Sequence, residues 1–366
     1  MPIYMDIHNV PGIEAIDVAE AHQKDIAIQE EYHCKAMTYW VDENRGTAFC
    51  LISAPDKQMV EEMHRRAHGL VPNKVIEVNN EVVESFLGRI YDPEETETSD
   101  SGLKVFSDSA FRILLVTDTT DPVLLRHKLG SEKADELLNE QNNIIRKELS
   151  THDGRKVENA GSGFIASFSS AVKAIACAVK IQKNLADTNR HLTGFKIGIS
   201  AGNPVDKSDK LFGDTIQLAR HLGAIAKSNQ VALSSAVKEL AASYNFQDDQ
   251  KYLTTLSPQD EILLESIFNT LEKNWQDADF TGTEFCQAMA MSKSQLYRKT
   301  IVLSGLSPNI LLKEFRLDKA RELLKNKRFT ISQATFDSGF TSPSYFTKCF
   351  KKKFGLLPEA YLHLLQ

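Results

Sequence analysis

The sequence predicts a multidomain α+β protein: an N-terminal βαββαβ unit, a central α/β unit and a C-terminal unit built only of helices. Three observations predict it. Apolar periodicity switches repeatedly between 2.0 and 3.6 residues over the first 240 positions, whereas the tail is helical in pattern. At 366 residues, 42% apolar and 25% charged, the chain can bury two or three separate cores. Charge is also divided: residues 258–366 hold 15 Lys+Arg against 12 Asp+Glu, although the whole chain is at −6. Within 293–353 the ratio is 14 to 4, so one basic block on an acidic body is set up to meet a polyanion.

In the first unit, "PIYMDIHNV" alternates like a strand and "EAIDVAEAHQKDIAIQEEYH" has helical spacing. "AMTYWV" and "TAFCLIS" flank the turn "DENRG" as a hairpin, "DKQMVEEMHRRAH" is helical, and "NKVIEV" closes as a strand. This order implies a ferredoxin-like layer pair, one antiparallel sheet under two helices, over 1–90. The acidic stretch "DPEETETSDSG" places a linker at 91–110. In the second unit, 111–243, "FRILLVT" and "GFKIGISAG" read as strands, "KVENAGSGFIASF" as a hairpin and "AVKAIACAVKIQKNL" as an amphipathic helix. Polar residues make 244–257 a second linker, and 258–366 is the helical unit. No run of 18 apolar residues and no leader pattern occurs, and five scattered cysteines lack any CxxC, so a cytoplasmic, thiol-reduced protein without membrane contact is expected.

The tail contains "TSPSYFTKCFKKKFGLLPEAY". At 100° per residue, Phe346, Phe350 and Phe354 fall within an 80° sector, with Lys348, Lys351 and Lys352 on the other side beside Ser344 and Tyr345. Upstream, "ISQATFDSG" is a helix stopped by Gly339, and Ser342-Pro343 forms an N-cap followed by proline at the first helical position. Helix, glycine turn and cationic second helix make a helix-turn-helix. The pattern occurs twice, the earlier copy exposing Lys293, Ser294, Gln295 and Arg298, with "PNILLKEFRLDKARELLKN" as a spacer helix. Two such helices about one DNA turn apart, ~34 Å, could enter successive major grooves.

"FRLDKARELL" and the run from Gly339 to Pro358 resemble the DNA-binding domain of AraC/XylS-type transcription regulators. Gly339, Phe340, Ser344, Tyr345, Phe346, Phe350, Lys351, Phe354, Gly355 and Pro358 fill that family's signature places. The resemblance implies double-stranded promoter DNA as partner, with RNA polymerase and a second copy of the chain as further partners. It gives base reading to Lys293, Ser294, Gln295, Arg298, Ser342, Ser344, Tyr345 and Lys348, and phosphate contact to Lys299, Lys351 and Lys352. A merely solvated lysine face is the alternative.

"LLVTDTTD", "GRKVENAGSGFIASF", "FKIGISAG" and "LFGDTIQLARHL" resemble class III nucleotide cyclase domains. Two aspartates, an Asn and an Arg carry that chemistry. Asp118 occupies the first aspartate place, but Ser162, Gln217 and His221 occupy the others, with Arg220 one residue out of phase and Glu158 at the usual base-selecting position. The expectation is an inactive cyclase-like domain, hence no enzyme; an active cyclase with a DNA-targeting tail is the rival.

In the first unit, His64 and His68 stand four apart on one helix, Asp6 and His8 share a strand face, and Cys50 lies on the third strand. With the first and third strands taken as parallel, His64 and His68 would lie up to ~18 Å from His8, giving two partial sites rather than one. "MDIHNVPG", "YWVDENRGTAFCLISAPD" and "MHRRAHGLVPNKVIEV" resemble small nickel-binding ferredoxin-like proteins. That resemblance implies a divalent transition metal, nickel or zinc, held by imidazole, carboxylate and perhaps thiolate. Surface histidines and a core cysteine are the alternative. The reading as a whole is a DNA-binding regulator with metal- or nucleotide-responsive upstream units, against a cyclase or a metal-storage protein.

Overall fold

The computed structural model describes residues 1–94, 96–98, 102–117, 121–157, 164–188, 195–326 and 329–365. Strands β1 (Ile3–Asn9), β2 (Lys35–Asp42), β3 (Thr47–Ser53) and β4 (Lys74–Val78) form one sheet in the order β2-β3-β1-β4, covered by α1 (Ala15–Ile28) and α2 (Lys57–Ala67). Asp56 starts α2 by accepting a hydrogen bond from the Met59 amide at 3.0 Å.

One expectation is corrected here. β1 and β3 are antiparallel, with Ile3 opposite Ser53 and Asn9 opposite Thr47. The α1 crossover makes β2 parallel to β1, and the tight hairpin then turns β3 back between them. α2 therefore leaves beside Ile3 and runs toward the His8 end, so its last turn arrives where β1 ends.

Strand alternation gives this sheet two buried faces. Tyr4, Tyr39, Val41, Ala48, Cys50 and Ile52 pack with α1 and α2. Met5, Trp40, Phe49, Leu51 and Ile76 share a core with Leu114, Val116, Ile165 and Phe212 of the central unit. α3 (Asn80–Leu87) joins that core through Val83 and Phe86. The 91–110 linker is not structureless: β5 (Glu97–Thr98) pairs with β6 (Lys104–Val105), and the Phe106 ring stacks on Tyr39 at 4.0 Å.

Strands β7 (Arg112–Thr117), β8 (Arg155–Val157), β9 (Phe164–Phe168), β10 (Ile197–Gly202), β11 (Val231–Leu233) and β12 (Leu253–Thr255) form the central sheet in the order β12-β11-β10-β7-β9-β8. α4 (Pro122–Leu129) and α5 (Ser131–Thr151) follow β7, with α6 (Ala171–Thr188), α7 (Gly213–Ile225) and α8 (Ser235–Leu240) after them. Ile113 and Leu115 face α5 and α6, whereas Leu114 and Val116 face the N-terminal unit. The stretch 244–257, expected to be a linker, supplies β12, which pairs in parallel with β11.

The tail is α9 (Pro258–Asn274), α10 (Gly282–Ala288), α11 (Lys293–Ser304), α12 (Pro308–Lys325), α13 (Ile331–Asp337), α14 (Pro343–Phe354) and α15 (Pro358–Leu364). It docks on the central unit twice. Leu264, Ile267 and Phe268 of α9 pack with Leu222 of α7 and with Ala226, which caps that helix. Val123 of α4 joins the core formed by Leu317, Phe350 and Tyr361. Gly339 is obligatory in the second turn: φ is +76°, and a Cβ there would lie 2.4 Å from the Trp275 carbonyl oxygen.

Asp121 anchors the second docking. Its carboxylate caps α4 at the Val123 amide (3.0 Å), accepts from the Tyr361 hydroxyl (2.8 Å) and meets Lys325 at 3.1 Å. Burial opposes the charge, but Tyr361, Lys325 and Arg321 hold the carboxyl below its ordinary pKa. Because that pKa is depressed in the folded state, the anchor stabilises fully above the unfolded value of about 4 and fades as pH falls through the folded one. Asp121→Asn is thus expected to lower the melting temperature at pH 7, with the gap from wild type closing below about pH 4; calorimetric scans across that range measure it.

Candidate functional site

Topology brings the N-terminal candidates together. β1 turns Asp6 and His8 toward the helices, and the Asp6 carboxylate accepts from the Cys50 amide on β3 at 3.0 Å. α2 delivers His64 between two acids: Nε2 lies 2.9 Å from Asp6 Oδ2, and Nδ1 lies 3.1 Å from Asp25 Oδ1. His68 Nε2 is 2.9 Å from His64 Nδ1. Asp6 and His64 are fully buried. One donor atom from each of Asp6, His8, Cys50 and His64 lies within 4.8 Å of the others, and Asp25, His64 and His68 form a second such set. The expectation of two separated partial sites is overturned, because the antiparallel β1–β3 pairing returns α2 to His8. Asp25 was missed by sequence; its signal is an acid among the inward positions Val18, Ala19 and His22 of α1.

These donors fit a transition ion. Imidazole, carboxylate and thiol together suit a borderline cation such as Ni²⁺ or Zn²⁺. His8 Nε2 is buried without a hydrogen-bond partner, which leaves a nitrogen available. The electrostatics set the terms for loading. Burial disfavours the His64 cation, yet Asp25 and Asp6 push its pKa up to about 10. Burial likewise raises the Cys50 thiol well above its usual value, with Asp6 and Asp25 adding to it. Protons therefore occupy this centre at neutral pH, and an ion must displace them. Nickel or zinc binding is expected to release at least one proton at pH 7, with affinity rising by up to about tenfold per pH unit for each proton displaced. Titration calorimetry in buffers of different ionisation enthalpy counts those protons.

The two helix-turn-helix units are built by capping. Ser292 accepts from the Gln295 amide at 3.3 Å, while Gln295 Oε1 accepts from the Ser292 amide at 3.0 Å. Ser342 Oγ accepts from the Tyr345 amide at 3.3 Å. Lys293, Ser294, Gln295, Arg298 and Lys299 are exposed on α11, as are Ser344, Tyr345, Lys348, Lys351 and Lys352 on α14. Ser342 is half-buried, and both it and Gln295 already serve the helix ends. Phe346 and Phe350 are fully buried, which fixes the face α14 presents. Lys353 is structural: its Nζ lies 2.7 Å from Asp318 Oδ2 and 3.0 Å from Glu314 Oε2 on α12. Arg316 donates to the carbonyls of Trp275 (2.9 Å) and Phe280 (3.0 Å), stitching α12 to the chain before α10. Between the units lies a cleft of about 710 Å³ bordered by Lys293, Tyr297, Lys313 and Tyr345. Sequence reasoning passed over Tyr297 and Lys313.

In the central unit, Asp118, Glu158 and Ser162 lie outside the described residues. Gln217 donates to Asn269 Oδ1 of α9 at 3.1 Å. The His221 ring stacks on Phe268 at 4.3 Å, and burial beside Arg220 and Lys319 lowers its pKa to about 4. Both positions thus pack against the helical tail. No helix among the described residues is long and apolar enough to cross a membrane.

Fold and sites define a class: a mixed α/β chain with a buried acid–histidine centre ahead of paired helix-turn-helix units. Residues 4–78 match the family described as nickel responsive protein SCO4226-like, and residues 285–363 match one described as a helix-turn-helix domain. These are the nickel-protein-like and AraC-type segments indicated by sequence. The chain is similar to histidine kinase P4 of Formosa agariphila, 37% identical over 107 residues, or 29% of this chain and 8% of that protein. It is 26% identical over 121 residues to the TCP pilus virulence regulatory protein of Vibrio cholerae, 32% of this chain and 42% of that one. An adenylate/guanylate cyclase/hydrolase structure from Silicibacter pomeroyi matches at 24% identity, covering 38% of this chain and 81% of that one, with a TM-score of 0.31. The chain spans less than half the length of these two curated relatives.

Proposed function

We propose that this chain is a sequence-specific DNA-binding transcription regulator that acts as a homodimer and communicates with RNA polymerase. One observation carries the reading: two capped helix-turn-helix units flank α12, with α11 presenting Lys293, Ser294, Arg298 and Lys299 to solvent over buried Leu296 and Thr300, and α14 presenting Ser344, Tyr345, Lys348, Lys351 and Lys352 over buried Phe346 and Phe350. The matched helix-turn-helix family and the Vibrio cholerae regulator support it. Lys293, Ser294, Arg298, Ser344, Tyr345 and Lys348 read bases, and Lys299, Lys351 and Lys352 meet phosphates. Gln295 and Ser342 position the helix ends, and their amide and hydroxyl groups reach DNA only by sharing that duty.

The acid–histidine centre is the input. Asp6, His8, Cys50 and His64 would hold the ion, with the Asp25 carboxylate 3.1 Å and His68 Nε2 2.9 Å from His64 Nδ1 behind it. The ion itself supplies charge that replaces the His64 proton. The central unit is a scaffold rather than an enzyme: Gln217 and His221 stand where carboxamide and guanidinium would serve phosphoryl transfer, and α9 packs on both.

Selection from a random oligonucleotide library, followed by anisotropy titration of the full chain, tests the reading. A selected duplex is expected to outcompete random DNA by at least about 10³ at moderate salt. Arg298→Ala is expected to weaken that duplex by about 1–3 kcal/mol. Lys351→Ala should instead weaken all sequences alike and flatten the salt dependence by about one unit.

A further inference from the structure

Besides α11 and α14, the cleft of about 710 Å³ between the helix-turn-helix units is bordered by the first half of α12, from Ser307 to Arg316. Charge there is one-sided. Lys293, Lys313 and Arg316 border the cleft, and among the described residues no aspartate or glutamate does. Helical spacing explains the bias. At 100° per residue, Asn309, Lys313 and Arg316 fall within about 60° of one another, whereas Glu314, Asp318 and Glu322 occupy the opposite half of the helix. Glu314 and Asp318 are engaged there by Lys353.

Of the bases on α12, Lys313 stands apart. Arg316 donates to main-chain carbonyls, and Lys319 Nζ meets Glu272 at 2.8 Å. Arg321 and Lys325 lie 3.7 and 3.1 Å from the Asp121 carboxylate. Lys313 is half-buried, yet it makes no hydrogen bond or ion pair among the described residues. A lysine placed this way rests its stem on the protein and leaves its ammonium to an outside anion. Two helices that enter successive major grooves on one face of a duplex leave the intervening minor groove turned toward whatever joins them. Here α12 joins them. A narrow, A·T-rich minor groove carries the strongest negative potential and attracts an inserted lysine.

We propose that the Lys313 ammonium enters the minor groove midway between the two major-groove contacts, which makes the base composition of that spacer part of the recognised site. This rests on the regulator reading, and the experiment separates the two. Anisotropy titrations of the full chain use two duplexes with the same selected bases under α11 and α14, one carrying an A-tract between them and the other a G·C run. The unaltered chain is expected to bind the A-tract duplex about three to ten times more tightly. Lys313→Ala, which installs a strong helix former, brings that ratio to about one while retaining discrimination against random DNA, itself a sign that the variant is folded. Lys313→Arg keeps the preference, and Lys351→Ala weakens both duplexes alike. Equal binding of the two duplexes by the unaltered chain, or an undiminished ratio in Lys313→Ala, overturns the proposal and leaves the regulator reading standing. Failure of every duplex to outcompete random DNA removes both.

Discussion

The N-terminal sheet is apolar on the side away from its helices, and a sheet whose outer face carries Met5, Trp40, Phe49, Leu51 and Ile76 must be covered. The central unit covers it with Leu114, Val116, Ile165 and Phe212. Hydrophobic burial on that scale joins the two units across one continuous core. β1 therefore has a double role: Asp6 and His8 belong to the polar centre, while Met5 and Ile7, their neighbours in the strand, belong to the interface. Any shift of β1 that accommodates a ligand on one face is felt on the other, because successive side chains share a single rigid backbone.

The same logic continues into the tail. α7 packs on the central sheet with Ala219 and turns Leu222, Ala226 and the His221 ring toward α9. That surface of α7 is a docking face for the helical tail. Asp121 fixes a second point, where a buried carboxylate collects a hydroxyl, a lysine and a helix end. Its value lies in specificity of placement as much as in energy, since buried charge is favourable only when every partner is present.

Much of this was legible in the sequence. Strand alternation and helical spacing gave the βαββαβ order, and capping residues with glycine and proline marked both helix-turn-helix units, because those signals are local. Strand direction was less accessible: parallel or antiparallel pairing of β1 with β3 depends on how a crossover and a hairpin combine, and a wrong choice moved His64 to the far end of the sheet. Asp25 escaped because a lone acid on a helix is ordinarily solvated, and only the arrival of α2 shows that it faces inward. The strand at Leu253–Thr255 was hidden by polar neighbours, since an edge strand of three residues needs little apolar character.

That short edge strand changes how reach should be thought of. With Leu253–Thr255 hydrogen-bonded to Val231–Leu233, the helical tail emerges from the sheet itself rather than from a loose tether. In the dimer proposed above, the two helical tails are then like jaws mounted on solid frames. The gap between the jaws would be dictated by protein geometry, and spacer length in the recognised DNA would tolerate little variation.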